Sequence, residues 1–206
     1  MQKGYMMQKK DYKQDVPLTE DLMREHGILN RVLLIYEDII DKIHHHANFK
    51  IDSLDKAVDI IQLFIEGHHE RMEEDYIFPL FEKHKQQIDL IATLKEQHIK
   101  GRQISVHLKN IIALQELNNK NRFLIQHYLT EFITMYRPHE AHEDTQIFPQ
   151  VRTFMTEKEF EELGELFEDF EHQLFGPHGF KKMLKILDGI EKELGIADLN
   201  QFTPKD

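Results

Sequence analysis

The sequence predicts an all-α chain, an antiparallel four-helix bundle followed by a C-terminal two-helix extension, and three observations carry that prediction. Apolar residues recur at spacings of three and four along most of the 206 residues, the period of a helix with one buried face. Only 9 Gly and 6 Pro interrupt the pattern, and alternating Val/Ile/Thr runs bounded by turn residues are missing. Short polar connectors separate four long periodic stretches, an arrangement that packs as neighbouring antiparallel helices.

The first helix is expected to begin after Pro17 with Thr19 as its N-cap, because Glu20 and Asp21 then fall in the first turn, where the helix dipole favours anions. It should run to about His45. Its seam reads Leu22, His26, Leu29, Leu33, Tyr36, Ile40 and Ile43, so a histidine sits inside an otherwise apolar stripe. The second helix is expected from about Leu54 to His84, after a turn at Asn48–Ser53, with Leu54, Val58, Ile61, Ile65 and His69 on one face. The third, from about Ile88 to Leu117, carries Ile91, Leu94, His98, Ser105, Leu108 and Ile112. The fourth, from about Arg122 to Phe154, carries Ile125, Tyr128, Phe132, Met135 and His139.

A fifth helix is signalled by the capping box that Thr156 and Glu159 can form, and it should stop at Gly176-Pro177. A sixth follows from about Gly179 to Leu194, with Phe180, Leu184, Leu187, Ile190 and Leu194 inward and Gly195 as its C′ residue. Residues 1–16 read as a flexible tail, 17–153 as the bundle and 154–206 as the extension. Half of the 14 Phe lie in that extension, so it carries apolar surface to be covered by the bundle or by a homodimer partner.

Composition narrows the function. Lys and Arg total 26 against 37 Asp and Glu, a net charge of −11, which disfavours nucleic acid as a partner. With no Cys at all, disulfides, thiol nucleophiles, iron–sulfur clusters and Cys-type zinc sites are excluded, and any metal must bind through N and O. No segment has the apolar length of a signal peptide or a membrane span, so a cytoplasmic protein without membrane contact is expected.

An internal repeat is the most informative feature. His69, Glu73, Ile77, Phe78 and Pro79 recur 70 residues later as His139, Glu143, Ile147, Phe148 and Pro149, and Leu22 and His26 recur 72 residues later as Leu94 and His98. Each His-to-Glu step of four residues is about 6 Å of helical rise on one face, which lets an imidazole and a carboxylate share an ion. Pairing the two hairpins about a pseudo-two-fold axis gathers His26, His69, Glu73, His98, His139 and Glu143 in the interior. Carboxylates buried there without compensation would be very costly. Two metal ions satisfy the set, with Glu73 and Glu143 bridging and two histidines completing each ion's protein ligands. Imidazole and carboxylate suit Zn and Mn as well as Fe.

His68 and His142 lack a carboxylate four residues on and are left out of the set. Glu70, Glu74 and Asp75 read as a solvated acidic face. The run His44-His45-His46 reads as a helix C-terminal cap. Gly101 and Ser105 follow His98 on its face and leave either a gap of gas-molecule size or a close helix approach.

The order H…HxxxE…H…HxxxE, opened by Asp21-Leu22-Met23-Arg24-Glu25-His26-Gly27, resembles the hemerythrin-like (HHE cation-binding) family over about Pro17 to Thr153. The resemblance implies a four-helix bundle around a non-haem di-iron centre, two Fe ions with a bridging oxo or hydroxo group, that binds O2, NO or peroxide or senses iron or oxygen. The six residues fall one by one on the family's ligand positions. The chain departs from the oxygen carriers at His98, which has Leu94 and Arg102 where a second histidine would stand four residues away. It also uses Glu143 at i+4 where the carriers place a more distant Asp. The iron–sulfur repair branch carries a Cys-containing N-terminal module that this chain lacks.

The expected function is therefore binding, sensing or detoxification of O2, NO or peroxide at a di-iron site, with no residue reading as a positioned general base or nucleophile. Two other classes compete. Ferritin-like iron oxidation and storage uses Glu-x-x-His pairs at i+3, unlike the i+4 pairs here. A metal-free helical interaction module would make the histidines structural and the extension its partner surface.

Overall fold

The computed structural model describes residues 16–204, and the expected tail lies almost wholly outside them. The bundle consists of α1 (Leu18–His44), α2 (residues 51–84), α3 (Ile88–Ile112) and α4 (residues 119–154), and the extension of α5 (Glu157–Phe175) and α6 (Gly179–Leu194). A short 3-10 turn, Leu199–Phe202, follows. Among the described residues there is no strand.

α1 packs against α2 and α4, and α3 packs against the same two, which closes the bundle. One apolar cluster collects the start of α1 (Leu18, Leu22), the end of α2 (Phe78, Phe81), the start of α3 (Ile91, Leu94) and the end of α4 (Phe148, Val151). Only an antiparallel order brings those four ends together. A second, larger cluster fills the other end, with Leu29, Val32, Ile61, Phe64, Leu108 and Phe132 among its members. The histidines of the repeat lie between the two clusters, so the polar layer divides the hydrophobic core.

Helix boundaries differ from the sequence expectation where local chemistry was misread. Pro17, not Thr19, occupies the N-cap of α1, and no side chain caps that end. Proline has no N–H to satisfy and its fixed φ prepares the turn, so the helix starts at Leu18 and Thr19 falls inside it. α3 stops at Ile112 rather than near Leu117, because Gln115 turns left-handed at φ 52° and Asn118 caps the next helix by accepting from the Asn121 N–H.

α2 and α4 are not regular. α2 widens into π-type turns at Ile61–His69 and Glu73–Ile77, and α4 does so at Glu143–Ile147. The last two wide turns stand just before Pro79 and Pro149. A proline ring collides with the carbonyl four residues earlier in a regular helix, and an extra residue per turn relieves that collision. Wide turns of this kind are commonly found at functional sites, and here they carry Glu73 and Glu143.

The extension covers its apolar stripe on the bundle itself. Phe160 and Phe167 of α5 join the cluster at the bundle end, and Met183, Leu187, Ile190 and Leu194 of α6 join the larger core. Both halves of the capping box form at Thr156 and Glu159. Gly195 ends α6 with φ 83°, the left-handed conformation that glycine adopts without strain. Arg31 of α1 holds α6 with a two-pronged contact to Glu191, at 2.7 and 2.6 Å, and a further 2.6 Å bond to Asp188.

Candidate metal centre

Each of the four helices contributes its histidine from a buried position: His26 from α1, His69 from α2, His98 from α3 and His139 from α4. Glu73 and Glu143, on the wide turns of α2 and α4, are fully buried beside them. The structure thus brings all six sequence-predicted residues together. They form two halves. Nε2 of His26 and Nε2 of His69 stand 3.1 Å apart, and Nε2 of His98 and Nε2 of His139 likewise 3.1 Å apart.

The carboxylates join the halves. Glu73 presents Oε1 at 3.5 Å from His69 Nε2 and Oε2 at 3.4 Å from His98 Nε2. Glu143 Oε2 lies 3.4 Å from His26 Nε2 and 3.2 Å from His139 Nε2. His26, His69, Glu73 and Glu143 offer ligand atoms that all fall within 4.8 Å of one another, and so do His98, His139 and Glu143. Phe148 stacks on His26 and Phe78 on His98, with centroids 5.4 and 5.6 Å apart, so the repeat extends to the apolar walls.

Outside the six stands a set of partners that hold the imidazoles by their Nδ1 atoms. His26 Nδ1–H donates to Asp144 at 2.8 Å, His69 to Glu25 at 2.7 Å, His98 to Glu74 at 3.0 Å and His139 to the Gln97 amide oxygen at 2.9 Å. With Nδ1 committed as donor, the lone pair of each neutral imidazole is at Nε2, and all four Nε2 atoms point inward. Within each half, two lone pairs then face each other at hydrogen-bond distance. All four oxygens of Glu73 and Glu143 are buried without a hydrogen-bond partner. Only a cation, a proton or a metal ion, reconciles that arrangement with burial.

Electrostatics agree. Burial opposes ionisation of Glu25, yet hydrogen bonds from His68 and His69 outweigh it and hold that carboxyl down to about 2. Burial likewise opposes charge on His26, but Asp144 and Glu143 pull its value up to about 9, and His98 rises to about 9 against burial through the charge of Glu70 and its bond to Glu74. The cluster attracts positive charge.

The four Nδ1 partners were not read from the sequence. Glu25 and Gln97 directly precede His26 and His98, and Asp144 and Glu74 directly follow the two glutamates, so adjacency was the available signal. Of the acidic run read as a solvated face, Asp75 is exposed, Glu74 is only partly exposed and bonds both His98 and Arg102, and Glu70 is buried. Buried His68 faces Glu25 at 3.3 Å, whereas His142 is exposed and bonds the Pro138 carbonyl. Glu70 turns away to Arg102 and to the Tyr136 hydroxyl. That hydroxyl occupies the space beside Gly101, so the glycine serves a close helix approach and leaves no gap there.

Comparison with known proteins fits this geometry. The chain is 40% identical over 194 residues, 93% of its length and 76% of theirs, to uncharacterized proteins of Mycobacterium tuberculosis (strain ATCC 25618 / H37Rv) and Mycobacterium bovis (strain ATCC BAA-935 / AF2122/97). No solved structure matches. The family model for the hemerythrin HHE cation binding domain matches residues 18–151, the span that holds all six inward-facing side chains. The chain therefore belongs to the hemerythrin HHE cation-binding domain family.

Proposed function

We propose that the bundle of residues 17–153 holds two iron ions and uses them to bind, sense or detoxify O2, NO or peroxide, with residues 154–206 as a fixed cover over one side. His26 and His69 would hold one ion and His98 and His139 the other, with Glu73 and Glu143 supplying carboxylate to both. The observation that carries this reading is the pair Glu73 and Glu143, fully buried with all four oxygens lacking a hydrogen-bond donor. A metal-free interaction module would leave those oxygens to protons on the facing imidazoles alone.

When bound, the ion pair supplies electrons and Lewis acidity to a small ligand. The chain's own groups prepare the place. Asp144, Glu25, Glu74 and Gln97 fix each ring's tautomer and aim Nε2 inward. Six protein groups would not fill the coordination of two iron ions, so such a pair would also take a small exogenous ligand. Phe78 and Phe148, stacked on His98 and His26, limit water at the rings and strengthen electrostatic interactions inside.

The test is metal analysis of the purified protein together with optical spectra recorded before and after air, peroxide and NO. Two irons per chain and ligand-dependent bands are expected. Iron far above two per chain would instead favour storage, and full helicity with an unchanged melting temperature after refolding in chelator would favour the interaction module.

A further inference from the structure

The two halves of the site are related by the repeat, which permits a residue-by-residue comparison of what surrounds them. Asp144 on His26 corresponds to Glu74 on His98, both anionic. Glu140, which accepts from Asn30 at 2.9 Å, corresponds to Glu70, which accepts from Arg102 at 3.0 Å. Two correspondences break the symmetry. Glu25, which holds His69 Nδ1 at 2.7 Å, is replaced in the other half by the neutral Gln97, which holds His139 at 2.9 Å. Asn30, four residues after His26, is replaced by Arg102, four residues after His98, and its guanidinium also lies 2.6 Å from the Glu74 oxygen that accepts from His98.

Both changes act in one direction. The histidines His26 and His69 are backed by two carboxylates, and among the described residues neither Glu25, whose other neighbour is His68 at 3.3 Å, nor Asp144 pairs with a Lys or Arg. At Nδ1 the histidines His98 and His139 are held by one carboxylate, Glu74, which shares its charge with Arg102, and by an amide, and Glu70 beside His98 is likewise paired with Arg102. Anionic partners on Nδ1 raise the basicity of an imidazole ligand and pull a cation toward it.

We infer that the dinuclear site is polar: the His26/His69 half binds its ion first and more tightly, the His98/His139 half holds the weaker ion, and Glu25, Gln97 and Arg102 are the positioning residues that set this order. The inference rests on the dinuclear reading above and adds to it an order set by residues outside the six ligands.

Stepwise anaerobic titration of the metal-free full chain with Co(II), followed optically, tests it. Mutual repulsion of two dications weakens the second step in any dinuclear site, so the wild-type separation alone decides nothing and variants must. Gln97→Glu, which changes only an amide to a carboxylate, should tighten the second step by roughly 10–100-fold, the usual scale for a metal's outer hydrogen-bond partners, and leave the first step in place. Arg102→Asn should shift the second step in the same direction, and Glu25→Gln should loosen the first. Melting of each metal-free variant establishes that it is folded, and because Gln97→Glu gains affinity, misfolding cannot imitate its effect. If Gln97→Glu and Arg102→Asn leave the second step unchanged, or act on the first, the polarity is wrong while the dinuclear reading stands. If the wild type takes up fewer than two Co(II), both are overturned.

Discussion

Gly101 and Tyr136 fit each other only as they are: a Cβ built on Gly101 would lie 2.0 Å from the Tyr136 hydroxyl oxygen. That hydroxyl donates to Glu70 Oε1 at 2.6 Å in a buried setting, so the glycine admits the phenol that satisfies a buried carboxylate. Gly101→Ala should therefore destabilise. Alanine gains about 1 kcal/mol of helix propensity over glycine, but overpacking costs about 1–3 kcal/mol and displacing the phenol strips Glu70 of a donor, a further ~1–3 kcal/mol. The clash wins. Gly189→Ala, on α6 with nothing within 4 Å of its Cβ, should stabilise instead. Denaturant melts of both variants check the pair, and equal effects would refute the account.

The six inward-facing residues were legible because the repeat marks them twice and because i to i+4 spacing is a property of one helix. Their Nδ1 partners were not, since each bond joins two helices: Glu25 of α1 to His69 of α2, Gln97 of α3 to His139 of α4. Such pairs depend on helix rotation and offset, which periodicity does not report. The wide turns at Glu73–Ile77 and Glu143–Ile147 were hidden for a related reason, because a seam drawn at spacings of three and four assumes a regular helix. Thr19 was misplaced as a cap because Thr is a preferred capping residue, and the proline two positions earlier proved the stronger signal. Helix order, the capping box and the Gly195 terminus depend only on local chemistry and read directly.

Glu143 and Glu73 should not be equivalent. Glu143 turns the same oxygen, Oε2, toward His26 and His139, whereas Glu73 turns Oε1 toward His69 and Oε2 toward His98. Glu143→Gln, which keeps the shape and removes the charge, should bring bound metal well below one ion per chain, whereas Glu73→Gln should retain about one ion. Elemental analysis after purification measures both. Chelator should lower the melting temperature of the wild type, because the binding free energy of a buried site is part of the folding free energy. Wild-type metal content in both variants would remove the two glutamates from the site.

The cap on α5 provides a test that leaves the metal site alone. The Thr156 hydroxyl accepts from the Glu159 N–H, and the Glu159 carboxylate accepts from the Thr156 N–H at 2.7 Å. Thr156→Ala should cost about 1 kcal/mol, the usual loss for a side-chain N-cap. Amide hydrogen exchange should rise at the first turn of α5, with metal content unchanged. A fall in metal content would show that α5 couples to the site more closely than its packing against the bundle end implies.

Stability should depend on pH with opposite trends in the two metal states. In the metal-free chain His26 and His98 are pulled up to about 9, and His69 lies well above its ordinary value despite burial, through Glu73 and Glu25. A histidine whose folded value exceeds its unfolded value of about 6.5 contributes stability that is complete below the latter and disappears as pH climbs through the former. The metal-free protein should therefore lose stability between about pH 6.5 and 9, by on the order of a few kcal/mol. Metal ligation requires neutral imidazoles, so protons compete with the ions at low pH and release them there. The increase in melting temperature on adding metal should accordingly be small near pH 6 and large near pH 9. Melting curves with and without metal across that interval measure the difference, and a metal-free melting temperature that stays level or rises toward pH 9 would mean that these imidazoles do not face the carboxylates as described.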